Sequence, residues 1–287
     1  MGWILGLGNG VVFRTGSSRA WSSYWVNRHP ELKTYITGLI TPLSNKQIIR
    51  IGEFIEALKN GLSITNLSDA FDVMYILAGE TEESSLKNLV KDAHHCTPVN
   101  APTFTQYEGY VGGATKSLNT NYNPFAQGEN YQLNSASLGA YVRTTTIGAY
   151  TILGVSDNAG NDSYINPRMN YDTVGRFYCR VNQATYTFGV AAGDTKGMLI
   201  ASRVGANAVD GYKNGTDLNC SGNTGVSTSL QNCNIHLLAL NLPANTIQHS
   251  PDQLSIAFMG KGFSGAEITA ITNACEAYMD ALGKGVV

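Results

Sequence analysis

Met198-Leu199-Ile200-Ala201-Ser202-Arg203 is a strand-sized run, and further along the chain Asn214-Gly215 is the dipeptide favoured by a type I′ hairpin turn. Short runs in which apolar and polar residues alternate between Gly, Asn and Asp turns also fall at residues 137–143, 151–155, 176–181, 186–190, 235–240 and 254–259. No helix-length segment separates them, which disfavours a parallel βαβ sheet. The pattern predicts a mainly β fold over residues 101–287, an antiparallel β-sandwich or barrel.

Composition supports that reading. Of 287 residues, 43% are hydrophobic and only 14% charged, against roughly 25% charged in an average soluble chain. Gly, Asn, Ser, Thr and Tyr take the place of the charges, as suits a protein of many turns and pleated surfaces, or one that sits in an assembly. The net charge of −2 offers no basic stripe for nucleic acid. No apolar run approaches the roughly 20 residues of a membrane helix. The opening Met1–Gly10 is apolar but lacks a basic flank and is broken by glycines, so no signal peptide is expected, and Gly6 stands where myristoylation needs Ser or Thr. Five cysteines without CxxC spacing favour free thiols over a disulfide framework or a zinc site, with a Cys220–Cys233 pair as the minor alternative.

Two stretches flanking the β runs are helical by pattern. In residues 264–282, Ser264 and Glu267 form a capping box, and Ile268, Ile271, Cys275, Met279 and Leu282 form an apolar stripe that stops before Gly283 and Gly285. Residues 44–62 carry a second stripe, Ile48, Ile51, Ile55, Leu58 and Leu62, behind an N-cap at Ser44, with Asn60-Gly61 as the expected stop. Further helices are expected over 68–78 and 82–94, and a proline-rich linker over 97–102. Residues 44–100 thus read as a small helical segment. Residues 1–43 read as an extended docking arm whose aromatics Trp3, Trp21, Tyr24 and Trp25 suit an interface; the alternative is that the arm folds back on its own domain.

Two resemblances follow. Tyr110-Val111-Gly112-Gly113 with Ser117-Leu118-Asn119-Thr120-Asn121-Tyr122-Asn123-Pro124 resembles the opening strands of concanavalin A-like (laminin-G-like) domains. Ala201-Ser202-Arg203, Tyr212-Lys213-Asn214-Gly215 and residues 255–260 fit the same plan. That resemblance implies a lectin-like jelly roll. The opening Gly2-Trp3-Ile4-Leu5-Gly6 with Asn9–Arg14 and Trp21-Ser22-Ser23-Tyr24-Trp25 is similar to virion proteins of crAss-like Bacteroides phages. So are Phe71–Ala78, Pro102-Thr103-Phe104-Thr105 and the ending Ala277–Val287. This second resemblance implies a homo-oligomeric virion subunit of tail, fibre or head, with other virion proteins as partners.

Candidate chemistry is sparse. Glycosidases of concanavalin-like fold place two carboxylates on one strand face. The β region has only Glu108 and Glu129 as glutamates, and its aspartate pairs, Asp157/Asp162 and Asp210/Asp217, sit in Gly/Asn turns. There is no Gly-x-Ser-x-Gly elbow, and none of the five histidines stands in a triad pattern. His94-His95-Cys96 lacks a second ligand pair for zinc. Gly6-x-Gly8-x-Gly10 lacks the strand and helix of a dinucleotide fingerprint. Asp157 to Asp162 is the one calcium candidate, though without EF-hand spacing, and a plain turn is the alternative. No cofactor and no enzymatic activity are expected. Glycan binding is the second functional expectation: Tyr122, Tyr131, Tyr164 and Tyr171 lie in turn-rich stretches where an exposed ring could stack on a sugar, or could instead fill the sandwich edges.

Overall fold

In the computed structural model, the described residues are 4–7, 10–13, 18–168, 176–185, 187–190, 194–220 and 225–287. Two large sheets lie face to face, and a helical layer covers the outer face of one of them.

The central sheet runs in the order Thr216–Asp217, Ala208–Lys213, Gly197–Gly205, Ala136–Val142, Gln253–Gly260, Gly109–Val111 and Thr103–Thr105, all antiparallel, with Phe71–Ile76 also paired to Gln253–Gly260. The outer sheet runs Thr187–Val190, Arg176–Gln183, Asp162–Arg168, Leu153–Ser156, His236–Leu237, Ser117–Asn119 and Thr97–Val99. Leu240–Asn241 joins Leu153–Ser156 in parallel and pairs with Thr246–Ile247. The expected antiparallel sandwich is therefore the architecture, with that single parallel pairing among the described strands. The hairpin expected at Asn214-Gly215 is present. Both residues take positive φ, 51° and 78°, the geometry that matches the twist of the strands they join.

The central sheet is buried on both faces. Val73, Tyr75, Leu77, Leu138, Leu199 and Ala201 point into the core between the sheets. Met74, Ile76, Tyr141, Met198, Ile200 and Phe258 point into a second core beneath the helices. A strand buried on both faces needs apolar residues at every position and so loses its alternation. That is why residues 68–78, expected as a helix, are instead the strand Phe71–Ile76. A short continuous apolar run does not distinguish the two by period.

The helical layer is built from α1 (Ser18–Arg28), α2 (Pro30–Ile36), α3 (Asn45–Leu62) and, at the chain end, α6 (Gly265–Ala281); α4 (Glu82–Leu86) and α5 (Pro124–Gln127) are short turns elsewhere. The helix expected over 82–94 is confined to α4. Ser44 caps α3 by accepting from the Gln47 amide at 3.2 Å, and the helix ends at Ser63, whose φ of 55° lies in the left-handed region. Asn60-Gly61, expected as the stop, lies inside the helix. There Gly61 allows a close approach, since a Cβ would stand 2.8 Å from the Ala270 Cβ of α6. The capping box of α6 forms as read, with Ser264 and Glu267 bonding reciprocally.

The extended arm expected over 1–43 is instead helical over Ser18–Arg28 and Pro30–Ile36, and these helices fold back on the domain. Trp25 is 3% exposed, stacks on His29 at 5.5 Å and lies over Gly52 of α3. Lys59 of α3 holds Glu31 of α2 at 3.0 Å, and the Tyr35 hydroxyl donates to the Ser84 carbonyl at 2.6 Å. Residues 71–99, assigned with the helical segment from the sequence, supply strands to both sheets. The linker expected over 97–102 begins with the strand Thr97–Val99.

Candidate functional site

Leu238, a non-glycine residue at φ 66°, breaks the path of the chain between two short strands, so that His236–Leu237 and Leu240–Asn241 both pair at Gly154. Its amide still bonds the Ile152 carbonyl at 2.6 Å, which holds the kink in the sheet. The chain after the kink, residues 241–246 with the hairpin turn at 242–245, forms one wall of a groove of about 640 Å³ beside the outer sheet. The other wall comes from Asn119 at the end of the strand Ser117–Asn119, from Asn123 at the N-cap of α5, and from Asn232, Cys233 and Asn234.

Six asparagines line this groove: Asn119, Asn123, Asn232, Asn234, Asn241 and Asn245. Hydrogen bonds within the protein orient them. Asn123 Nδ2 donates to Asn232 Oδ1 at 2.9 Å, Asn234 Nδ2 to Asn119 Oδ1 at 3.2 Å, and Asn241 Nδ2 to the Asn234 carbonyl at 2.7 Å. Among the described residues, these bonds leave Asn232 Nδ2 as a free donor and the Asn234 and Asn241 Oδ1 atoms as free acceptors. Both polar atoms of the Asn245 side chain are free as well. His236 closes the floor, 7% exposed, with Nδ1 3.2 Å from Ser117 Oγ. Burial, with His249 nearby, pushes its pKa down to about 4, so it is a neutral ring near pH 7. Among the described residues, no Asp, Glu, Lys or Arg lines the groove. Phe125, 63% exposed, is not part of the lining but is close to it in the backbone: it lies two residues from Asn123, and its amide donates to the carbonyl of Gln231, the neighbour of Asn232, at 3.3 Å.

The residues singled out from the sequence lie elsewhere. Tyr122 and Tyr131 are fully buried, not exposed platforms. Tyr122 donates to Asp72 Oδ2 at 2.6 Å, and Tyr131 to Ser163 Oγ at 2.8 Å. Tyr164 is 5% exposed, with the Arg180 guanidinium 5.5 Å from its ring. Tyr171 and Trp3 lie outside the described residues. Trp25 is core, whereas Tyr24 is 43% exposed and Trp21 half-buried beside it, the ring centroids 5.8 Å apart.

The calcium candidate is a turn closed on itself. Asp157 Oδ1 accepts from the amides of Ala159 at 2.8 Å and Asn161 at 3.0 Å, while Asp162 is buried and paired with Arg180. No group of three or more His, Cys, Asp or Glu converges among the described residues. Glu108 is held by Arg143 and Lys284 and Glu129 by Lys91, so the two glutamates are not a pair. Cys220 and Cys233 are both free thiols.

The groove was missed because its asparagines are scattered over 119–245 and each reads as an ordinary turn residue. A usable signal was the density of Asn in 119–123 and 232–245.

No protein-family model matches the chain, and no curated protein matches it. Solved structures do share its fold. The chain aligns with Trypanosoma rangeli sialidase in its covalent-intermediate complex with 2,3-difluorosialic acid at a TM-score of 0.54 and 12% identity, over 80% of this chain and 39% of the sialidase. With the same enzyme in complex with sialic acid the TM-score is 0.52 at 11% identity, over 99% of this chain and 43% of the sialidase. The chain thus spans about two-fifths of the sialidase's length, and at this identity the likeness establishes the fold.

Proposed function

We propose that this chain is a non-enzymatic carbohydrate-recognition protein that holds a glycan in the asparagine-lined groove. The observation that carries this reading is the groove's lining: oriented amides with unused donors and acceptors, and no carboxylate pair. Sugar hydroxyls both donate and accept, and side-chain amides match them on both counts. Glycoside hydrolysis needs two carboxyl groups flanking one bond, and the groove supplies none. The sialidase that shares this fold has been solved in complex with sialic acid. The reading for this chain rests on its own groove.

The setting follows from the sequence resemblance to crAss-like phage proteins: a homo-oligomeric virion subunit that displays the sandwich toward host surface glycans. Half-buried Trp21 and exposed Tyr24 are then the remaining candidates for contact with other virion proteins. Titration calorimetry of immobilised-array hits against wild type and the Asn234→Ala/Asn241→Ala double variant tests the recognition reading. Saccharide binding that the double variant loses is expected. Failure of the wild type to retain any saccharide at millimolar concentration sinks it.

A further inference from the structure

We infer that the groove selects uncharged saccharides over acidic ones, bound through their hydroxyls by the asparagine amides. This inference rests on the recognition reading and specifies its ligand class.

Three observations carry it. First, a sugar carboxylate or sulfate that loses its water needs a cation or several convergent N–H donors in return. Among the described residues the lining offers neither Arg nor Lys, and its one ionisable ring, His236, stays neutral near pH 7. Second, the charge acting on Cys233, one of the lining residues, is negative: its thiol is pushed up first by burial and then by Asp157. Third, the unused atoms are of both kinds: the donor Asn232 Nδ2, the acceptors Oδ1 of Asn234 and Asn241, and both types on Asn245. A carboxylate uses donors only, whereas hydroxyls use both. Phe125 lies outside the lining but two residues from Asn123, and its ring, 63% exposed, is the large apolar side chain exposed in that stretch. A groove of about 640 Å³ falls within the range of small-ligand clefts, roughly 300–1,000 Å³.

The test is an array of neutral glycans (hexosides, pentosides and N-acetylhexosaminides) printed beside their sialylated, uronic and sulfated counterparts. It is probed with the full chain, and titration calorimetry follows on the hits. Neutral glycans should bind at least about tenfold more tightly than their acidic counterparts. Asn245→Ala, on an exposed side chain, should weaken neutral binding by about tenfold with unchanged thermal unfolding. Asn245→Lys should narrow the gap by raising acidic binding. Preference for acidic glycans, or neutral binding indifferent to Asn245→Ala, overturns the inference and leaves the protein a glycan binder of another kind. Retention of no glycan overturns the recognition reading and this inference together.

Discussion

The Tyr122 hydroxyl donates to the Asp72 carboxylate at 2.6 Å, and both side chains are sealed from solvent. Asp72 accepts in addition from the amides of Glu129 at 3.1 Å, Asn130 at 2.8 Å and Tyr131 at 3.0 Å. A buried carboxylate is tolerated where donors surround it, and this one ties the strand Phe71–Ile76 to the loop that follows α5. Tyr122→Phe should cost about 1–2 kcal/mol, one hydrogen bond to a charged acceptor. Asp72→Ala leaves all of those donors without their acceptor and should cost about 3 kcal/mol or more. Urea unfolding of the two variants measures both. Equal small losses would mean that Asp72 does not organise the loop.

Gly52 faces the Trp25 ring so closely that a Cβ would lie 2.6 Å from Cγ. In an unconstrained helix, Gly→Ala stabilises by about 1 kcal/mol. Here the sign should reverse: Gly52→Ala should destabilise by about 1–3 kcal/mol through overpacking. A raised melting temperature would show that α1 does not seat as described.

Arg203 is fully buried without a carboxylate partner. Its guanidinium donates to the carbonyls of Val181, Gly205, Ala206 and Gly225 and to Gln183 Oε1, at 2.6–2.9 Å. Burial lowers its pKa to about 10, which still leaves it charged near pH 7. Lysine cannot reproduce this planar fork. Arg203→Lys should therefore cost about 3 kcal/mol by denaturant unfolding, and loss of less than about 0.5 kcal/mol would refute the fork's role.

His236 gives the fold a pH dependence of known sign. Its folded pKa, about 4, lies below the ordinary 6.5 because burial disfavours the charged ring. Between those values the unfolded chain binds the extra proton, so stability is full above about pH 6.5 and falls as pH drops toward 4. The loss is of order 3 kcal/mol. Unfolding free energies measured from pH 7.5 to 4 should show this loss in wild type and less of it in His236→Gln. Identical profiles would remove His236 as the cause.

A chain starting at residue 101 should not fold. It lacks Phe71–Ile76 and Thr97–Val99, and also α3, which covers the outer face of the central sheet. Near-ultraviolet circular dichroism should show lost tertiary packing, with aggregation in light scattering. A cooperative, monomeric fragment would instead establish the sandwich as an independent unit.

What could be read from the sequence was local. The hairpin at Asn214-Gly215 follows from residues that accept positive φ, the capping box at Ser264 and Glu267 from two side chains three residues apart, and the α3 stripe from helical spacing. Each depends on neighbours in the chain, and together with the recurring short strands they determined the mainly β class and its flanking helices. The rest depended on what packs against what. Phe71–Ile76 is a strand because two layers cover it, which no period within six apolar residues records. Tyr122 and Tyr131 are interior because Asp72 and Ser163 meet their hydroxyls from 50 and 32 residues away. The groove exists because the folded chain brings asparagines from residues 119–123 and 232–245 together beside the strands Ser117–Asn119 and His236–Leu237. The sequence by itself determined the elements, because turn, cap and stripe are short-range physics. Only the tertiary structure decided which faces are buried and where a ligand could sit, because burial and convergence are properties of the packed chain.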